Sequence, residues 1–463
     1  MTRLPLPVPV TTVSLHRRWR RLITGGPLRR RVVALAWPAV GEQLLQMALG
    51  FVDMILVGRI GAAAITAVGL SDQLVMLIMV GFAALNVGTT ALVARHYGAR
   101  EHTEACEAGR QALLVTAGLG LLLGAGAFGF AVPALSLMGA EPQVLARGAP
   151  YFRLMCVSVP FLALSVVGNA IMRGAGDTRT PLWIAGVANA FHVVAAVVLI
   201  FGYLGLPRLE VTGAGIATML SRVLAAGLTL WILATGRTRI RLSLRRPAGR
   251  PDTLRRLLRV GLPAAGEQLL MRLGMTGYAR IVAGLGTAAY AAHRVALNAE
   301  SLSFTPGFGF ALAATTLVGQ GLGARQPRVA EAAGYQTLRY AATLMSVLGA
   351  FFFLFSRPLV LVFTSDPEVV AMASVCLKIV GLAQPALASC MVMAGALRGA
   401  GDTRWTLAIT VTGIWLVRIP LALLFTSRLG LTGAWVAMTV DLAVRGTLMY
   451  LRYRGGNWRE LHI

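Results

Sequence analysis

Apolar runs of roughly twenty residues recur along the whole chain, separated by short connections rich in arginine, glycine and proline. An α-helix needs about 20 apolar residues to cross a bilayer. Counting such segments predicts twelve helices, near 32–57, 63–94, 111–131, 148–171, 181–203, 213–235, 259–284, 288–320, 333–355, 369–396, 406–426 and 432–451. An even count puts both termini on one side of the membrane.

The pattern is written twice. RGAGDTR begins at Arg173 and again at Arg398, 225 residues later. PAVGEQLL at Pro38 and PAAGEQLL at Pro263 keep that spacing, as do LVARHYGAR at Leu92 and LVGQGLGAR at Leu317, and Pro160 and Pro385. The spacing shortens to 220 at Thr212-Gly213 and Thr432-Gly433, which suits a change in one loop. Each half holds six helices, an even number, so both enter the membrane in the same orientation. The predicted fold is an all-α polytopic membrane protein, with two six-helix lobes related by a pseudo-twofold axis along the membrane normal. The expected divisions are a basic arm over 1–31, an N-lobe over 32–235, a basic linker over 236–256, a C-lobe over 257–452 and a tail over 453–463.

Composition agrees with a membrane protein. Hydrophobic residues make up 56% of the 463 and charged residues only 13%, against about 25% in soluble domains. The net charge of +25 is carried almost wholly by arginine. These arginines lie in the N-terminal arm, the linker TGRTRIRLSLRRPAGRPDTLRR, the tail and the loops around Arg95, Arg173, Arg325 and Arg398, all on one face in the twelve-helix count. Connections on the other face, such as GLPRLEV and FTSDPEV, are poorer in arginine. The positive-inside rule therefore places both termini in the cytoplasm, and the same distribution argues against nucleic-acid binding. The N-terminal stretch has no long apolar core or small-residue cleavage site, so it reads as a basic arm rather than a signal peptide. Cys106, Cys156, Cys376 and Cys390 form no CxxC pair and suggest neither a disulfide framework nor a zinc site.

The glycines of RGAGDTR allow a tight turn, Asp177 and Asp402 suit helix N-caps, and the arginines would hold the loop in the cytosol. No strand precedes the glycines, so a nucleotide-binding reading fails.

Within a membrane helix, ionisable residues are costly unless paired or wet, and they are where chemistry is expected. Glu42 and Asp53 lie eleven residues apart in the first helix, close to three full turns, which puts both on one face about 16 Å apart. Gln46 falls on nearly the same stripe. In the sister helix Glu267 matches Glu42, but Tyr278 replaces Asp53. That broken symmetry marks Asp53 as the functional carboxylate. Glu42, Gln46, Glu267, Tyr278, Glu300 and Arg418 are candidate cavity-lining residues. Asp441 and Arg445, four apart, can pair on one helix. His192 reads first as a packing histidine, with a proton carrier as the other reading. Pro306, Gly307 and Gly309 mark a long bent helix whose broken backbone could line a cavity.

The two six-helix halves, GFVDMILVG in the first helix, AATTLVGQGLGAR after the eighth and the doubled RGAGDTR together resemble the MATE family, the multidrug and toxic compound extrusion transporters. The resemblance covers the whole chain. It implies two lobes around a central cavity and cation-coupled efflux of small amphipathic, often cationic, organic compounds by a monomer in the plasma membrane, with no cofactor. Residue by residue it implies a coupling site of Asp53, Asn189 and Thr218, which could hold a proton or, through oxygen ligands, sodium. Where DinF-like members carry a second aspartate this chain has Val193, and where NorM-like members carry acids it reads Met271 and Leu387. The missing acidic ligand favours protons over sodium. The alternative reading is a lipid-linked saccharide flippase, a distant relative expected to have a basic cavity, for which Arg272, Arg280, Arg294 and Arg418 are the candidates. A membrane enzyme is disfavoured because no catalytic constellation is found.

Overall fold

The computed structural model describes residues 26–242 and 251–461. Most of the expected basic arm (1–25) and part of the linker (243–250) lie outside the described residues. The N-terminal half contains α1 (Gly26–Gly58), α2 (Ala62–Gly98), α3 (His102–Gly129), the short α4 (Ala131–Leu137), α5 (Pro142–Gly174), α6 (Arg179–Phe201) and α7 (Glu210–Thr235). The C-terminal half contains α8 (Pro251–Ala283), α9 (Thr287–Gly323), α10 (Pro327–Leu354), the short α11 (Ser356–Leu361), α12 (Pro367–Ala400), α13 (Thr403–Val411), a π-helical turn over Thr412–Arg418 and α14 (Ile419–Gly455). A 3-10 turn follows at Asn457–Glu460.

Every expected apolar segment is helical. Most helices run several residues past their apolar stretch, because the hydrogen-bonded backbone continues into the polar zone while the side chains change character. Ten described helices are long and apolar enough to span a bilayer. One of these, Thr403–Gly455, reverses at Gly430 (φ 56, ψ −136) and so holds two spans. α8 is the twelfth expected helix. It is 33 residues long, but its charged side chains lower its hydropathy.

The duplication is visible in the element boundaries. α1 and α8, α2 and α9, α3 and α10, α4 and α11, and α5 and α12 each begin 225 residues apart. The register changes where residues 202–209 of the first half form a loop, whereas the second half turns at Gly430 alone. Gly430 can do this because it lacks a Cβ and takes positive φ without strain. The π-helical turn ending at Arg418 is a second asymmetry, since α6 has no such insertion.

The lobes meet on the arginine-rich face that holds the described chain ends. Val32, Leu35, Ala36 and Val40 of α1 pack into the C-lobe core, while Leu257 of α8, the repeat mate of Val32, packs into the N-lobe core. The crossings are glycine contacts. Gly88 meets the Leu257 backbone, Gly261 meets Ala84, and Gly309 meets Val40. Without a hydrophobic drive between helices in lipid, close backbone approach of this kind holds helices together. Gly98 abuts the Gln320 carbonyl, and its mate Gly323 abuts the Arg95 carbonyl. Thr316 donates to the Arg173 carbonyl at 3.0 Å and Gln320 to the Gly174 carbonyl at 2.9 Å. Ser301 and Thr305 reach the Met47 sulfur, and Arg272 reaches Met76. These last contacts sit about 9 Å along α1 from Asp53.

α9 departs from expectation. It is one continuous helix with Pro306, Gly307 and Gly309 buried, and the glycines serve tight packing against Met345, Met391 and Val40 rather than a broken backbone. The C-terminal segment is tied down: Trp458 is fully buried and stacks on Tyr453 with ring centroids 4.6 Å apart. Cys156, Cys376 and Cys390 are buried, and the Cys106 thiol donates to the Arg241 carbonyl at 3.2 Å.

Gly323→Val places methyl groups where the Arg95 backbone lies, so it should prop the lobe seam open. Maleimide labelling of a Thr316→Cys variant is expected to rise at least several-fold in that background; an unchanged rate would show that the seam does not depend on this contact.

Candidate functional site

The repeated motifs find each other. Arg173, the first residue of RGAGDTR, holds Glu42 at 3.2 Å with both side chains buried, and Asn169 adds a longer contact at 3.4 Å. In the C-lobe Arg398 holds Glu267 at 2.7 Å, and Thr406 and Thr410 each donate to the same carboxylate at 3.0 Å. The doubled loop is thus a clamp that ties the end of α5 to α1 and the end of α12 to α8. Its second glycine takes positive φ in each copy (Gly176 82°, Gly401 88°). Asp177 caps α6 through the Arg179 and Thr180 amides, but Asp402 turns instead to Arg452 at 2.8 Å.

These contacts correct part of the expected cavity lining. Glu42 and Glu267, each 3% exposed, are neutralised inside their lobes rather than facing a cavity. Tyr278 is also buried, with the Arg418 guanidinium 5.5 Å from its ring centre and His293 edge-on at 5.7 Å. Arg418 is 1% exposed and shares Asp441 with Arg445, at 2.7 and 2.8 Å. The expected Asp441–Arg445 pair is therefore a triad. Glu300 is buried in the same region and has Arg418 as its charged neighbour. Gln46 alone of the six is exposed. Burial inside a lobe follows from charge: an ion in a low-dielectric bundle is tolerated where a counter-ion reaches it.

Asp53 is built differently. It is 37% exposed, and its Oδ1 lies 2.7 Å from Nε2 of His192, which is 2% exposed. His192 stands three residues after Asn189, on the same face of α6. Asn189 uses its amide to grip the Leu45 carbonyl at 3.1 Å, so both side chains fasten α6 to α1. On α7, Thr218 donates to the Ala214 carbonyl at 2.9 Å and lies within hydrogen-bonding reach of Tyr151. Ser221 lies 3.4 Å from the other ring nitrogen of His192. Arg222 follows on that face and donates to Ser158 at 2.8 Å. Asp72 of α2 and Arg222 are electrostatic neighbours of Asp53.

Of the three expected coupling residues, Asp53 is thus joined directly to neither Asn189 nor Thr218 by the bonds those two make; its partner is His192. The packing reading of that histidine gives way to a hydrogen-bonding one. Asp72, Tyr151, Ser221 and Arg222 escaped the sequence reading. Asp72 was legible by the test that found Asp53, since it too is an acid inside an apolar helix. Arg222 gains meaning only once the fold brings α7 to α1.

The arrangement can bind and release a proton without a large structural change. Carboxylate and imidazole share a short hydrogen bond, and the carboxylate is only partly covered by the protein.

Comparison with known proteins follows the same division of the chain. The family model described as MatE matches residues 38–198 and 263–424, one segment in each lobe. A Thermotoga maritima protein described as a probable multidrug resistance protein NorM is 33% identical over 446 residues, covering 94% of both chains. A Bradyrhizobium diazoefficiens protein of the same description is 31% identical, covering 91% of this chain and 92% of that one. Among solved structures, the outward-facing conformation of a multidrug resistance MATE family transporter superposes with a TM-score of 0.87 at 25% identity, covering 94% and 97%. The Vibrio cholerae MATE transporter VcmN has a TM-score of 0.88 at 21% identity, covering 95% and 100%.

Removing one partner of a buried ion pair strands the other charge, at a cost of about 3–5 kcal/mol. Glu267→Ala should therefore lower the thermal midpoint sharply, and adding Arg398→Leu should recover much of the loss. A double variant less stable than the single one would contradict the clamp.

Proposed function

We propose that this chain, which belongs to the MatE family, exports small amphipathic, often cationic, organic compounds by antiport against protons, with Asp53 as the coupling carboxylate. The observation that carries this reading is the contrast among acids: Glu42, Glu267 and Asp441 are sealed by arginine, while Asp53 is partly exposed and has a histidine as its partner. The names of the multidrug resistance relatives support efflux, and the outward-facing solved structure supports a two-lobed exporter.

In this reading both termini face the cytoplasm of a plasma-membrane transporter. The lobe seam then closes the cytoplasmic side, and Asp53 lies beyond it toward the outside. An ionised carboxylate in mostly apolar surroundings is costly, so protonation and the presence of a cationic substrate are alternatives for neutralising it. A proton entering from outside neutralises Asp53 and releases substrate outward. Opening of the cytoplasmic side then lets the proton leave, and a new substrate takes its place. Asn189 and Thr218 hold α6 and α7 in register around the carboxylate.

The energy is adequate. One pH unit supplies about 1.4 kcal/mol and 100 mV about 2.3 kcal/mol per charge. One proton then supports about a ten-fold gradient of a monovalent cation, whose own charge cancels the potential, and about several hundred-fold for a neutral compound. Of the arginines that the lipid-linked saccharide reading needs, Arg418 is neutralised by Asp441 within its lobe, while Arg272, Arg280 and Arg294 are exposed.

In liposomes, the wild-type chain should move a fluorescent cationic dye when a proton gradient is imposed. Asp53→Asn should cut that flux at least 10-fold while leaving the thermal midpoint near wild type. Full flux in Asp53→Asn would remove Asp53 from the coupling role.

A further inference from the structure

We infer that His192 is the second half of the coupling site, so that the transported proton is held by the Asp53–His192 pair and sodium is not accepted there. This rests on the reading of the chain as a proton-driven exporter and goes beyond it by naming the other proton-binding group and the ion it selects.

The geometry is specific. Nε2 of His192 sits 2.7 Å from Asp53 Oδ1, and the ring is buried while the carboxylate is partly open. His192 completes the site with a nitrogen base rather than a second oxygen anion.

The groups facing this pair come from five helices. α1 supplies Asp53, α2 Asp72, α5 Tyr151, α6 His192 itself, and α7 Ser221 and Arg222. With both aspartates ionised, Arg222 charged and the imidazole neutral, their formal charge is −1. One added proton brings it to zero. A monovalent cation would do the same arithmetically, but it requires several oxygen ligands. The imidazole takes up one Asp53 oxygen and offers a nitrogen where an alkali ion takes oxygen ligands. An imidazolium would also repel a metal cation. The donor set thus suits a proton, which a carboxylate and an imidazole hold between them in one short hydrogen bond.

His192 acts on the same proton as Asp53, so its role differs from that of a merely structural neighbour in a measurable way. In His192→Gln the side-chain amide keeps a donor for Asp53 but accepts no proton at neutral pH. That variant is expected to keep a thermal midpoint near wild type and to lose at least 10-fold in proton-driven flux. Its residual flux should no longer follow the wild-type pH profile. A His192→Gln protein with wild-type flux and pH profile overturns the inference. Should that variant fail to fold, His192→Asn is read in the same way. The ion selectivity needs no substitution: in wild-type liposomes at equal pH, an imposed sodium gradient is expected to give no dye flux above the no-gradient control, and sodium-driven flux overturns the inference. Full proton-driven flux in Asp53→Asn is the distinct outcome that removes the underlying assignment itself, whatever His192 does.

Discussion

A charged side chain inside an apolar helix bundle has to meet a counter-charge, reach water or give up its charge. Most of the internal architecture follows from this constraint. Three acids solve it in the first way: Glu42 with Arg173, Glu267 with Arg398, and Asp441 with two arginines. Each of these sites closes on itself and fastens helices within a lobe. Asp53 satisfies the constraint incompletely, through a histidine whose charge is optional, and it stays partly uncovered by the protein. A site whose neutrality depends on a movable proton is what an exporter needs, and a site neutralised by arginine is what a scaffold needs. The chain contains both, in helices copied from one another.

The duplication explains how the two kinds of site came to coexist. Element starts recur at 225 residues through five helix pairs, and the Gly98 contact at the seam recurs with them at Gly323. What has diverged is the polar centre of each lobe. Tyr278 stands at the repeat position of Asp53, and a π-helical turn delivers Arg418 to Asp441 in the C-lobe, where α6 delivers His192 to Asp53 in the N-lobe. Each lobe keeps its arginine clamp, and the polar centres differ in that Asp441 carries two arginines and Asp53 a histidine.

Much of the fold was legible in the sequence because two strong signals agreed. Apolar runs long enough for a bilayer gave the helices, and verbatim repeats such as RGAGDTR gave the symmetry. The sites were harder. Periodicity placed Glu42 and Asp53 on one face of α1, which suggested a single polar seam, yet the partner that separates their roles lies 131 residues away at Arg173 for one and 139 residues away at His192 for the other. Such pairings depend on which helices neighbour each other, and a pattern along one helix does not report that. The same limit hid Arg222 and misread Pro306, whose helix continues unbroken because neighbouring helices pack closely around its glycines. Asp72 is a different case, since its position inside an apolar helix was visible from the start.

The central claim is that substrate and proton neutralise one N-lobe site in turn. Its most direct test is the number of protons released when a cationic dye binds the purified wild-type chain, measured by titration calorimetry near neutral pH in buffers of different ionisation enthalpy. The account predicts a binding heat that varies linearly with buffer enthalpy, with a slope near one proton released per dye bound. A heat independent of the buffer would mean that binding displaces no proton, and would contradict it.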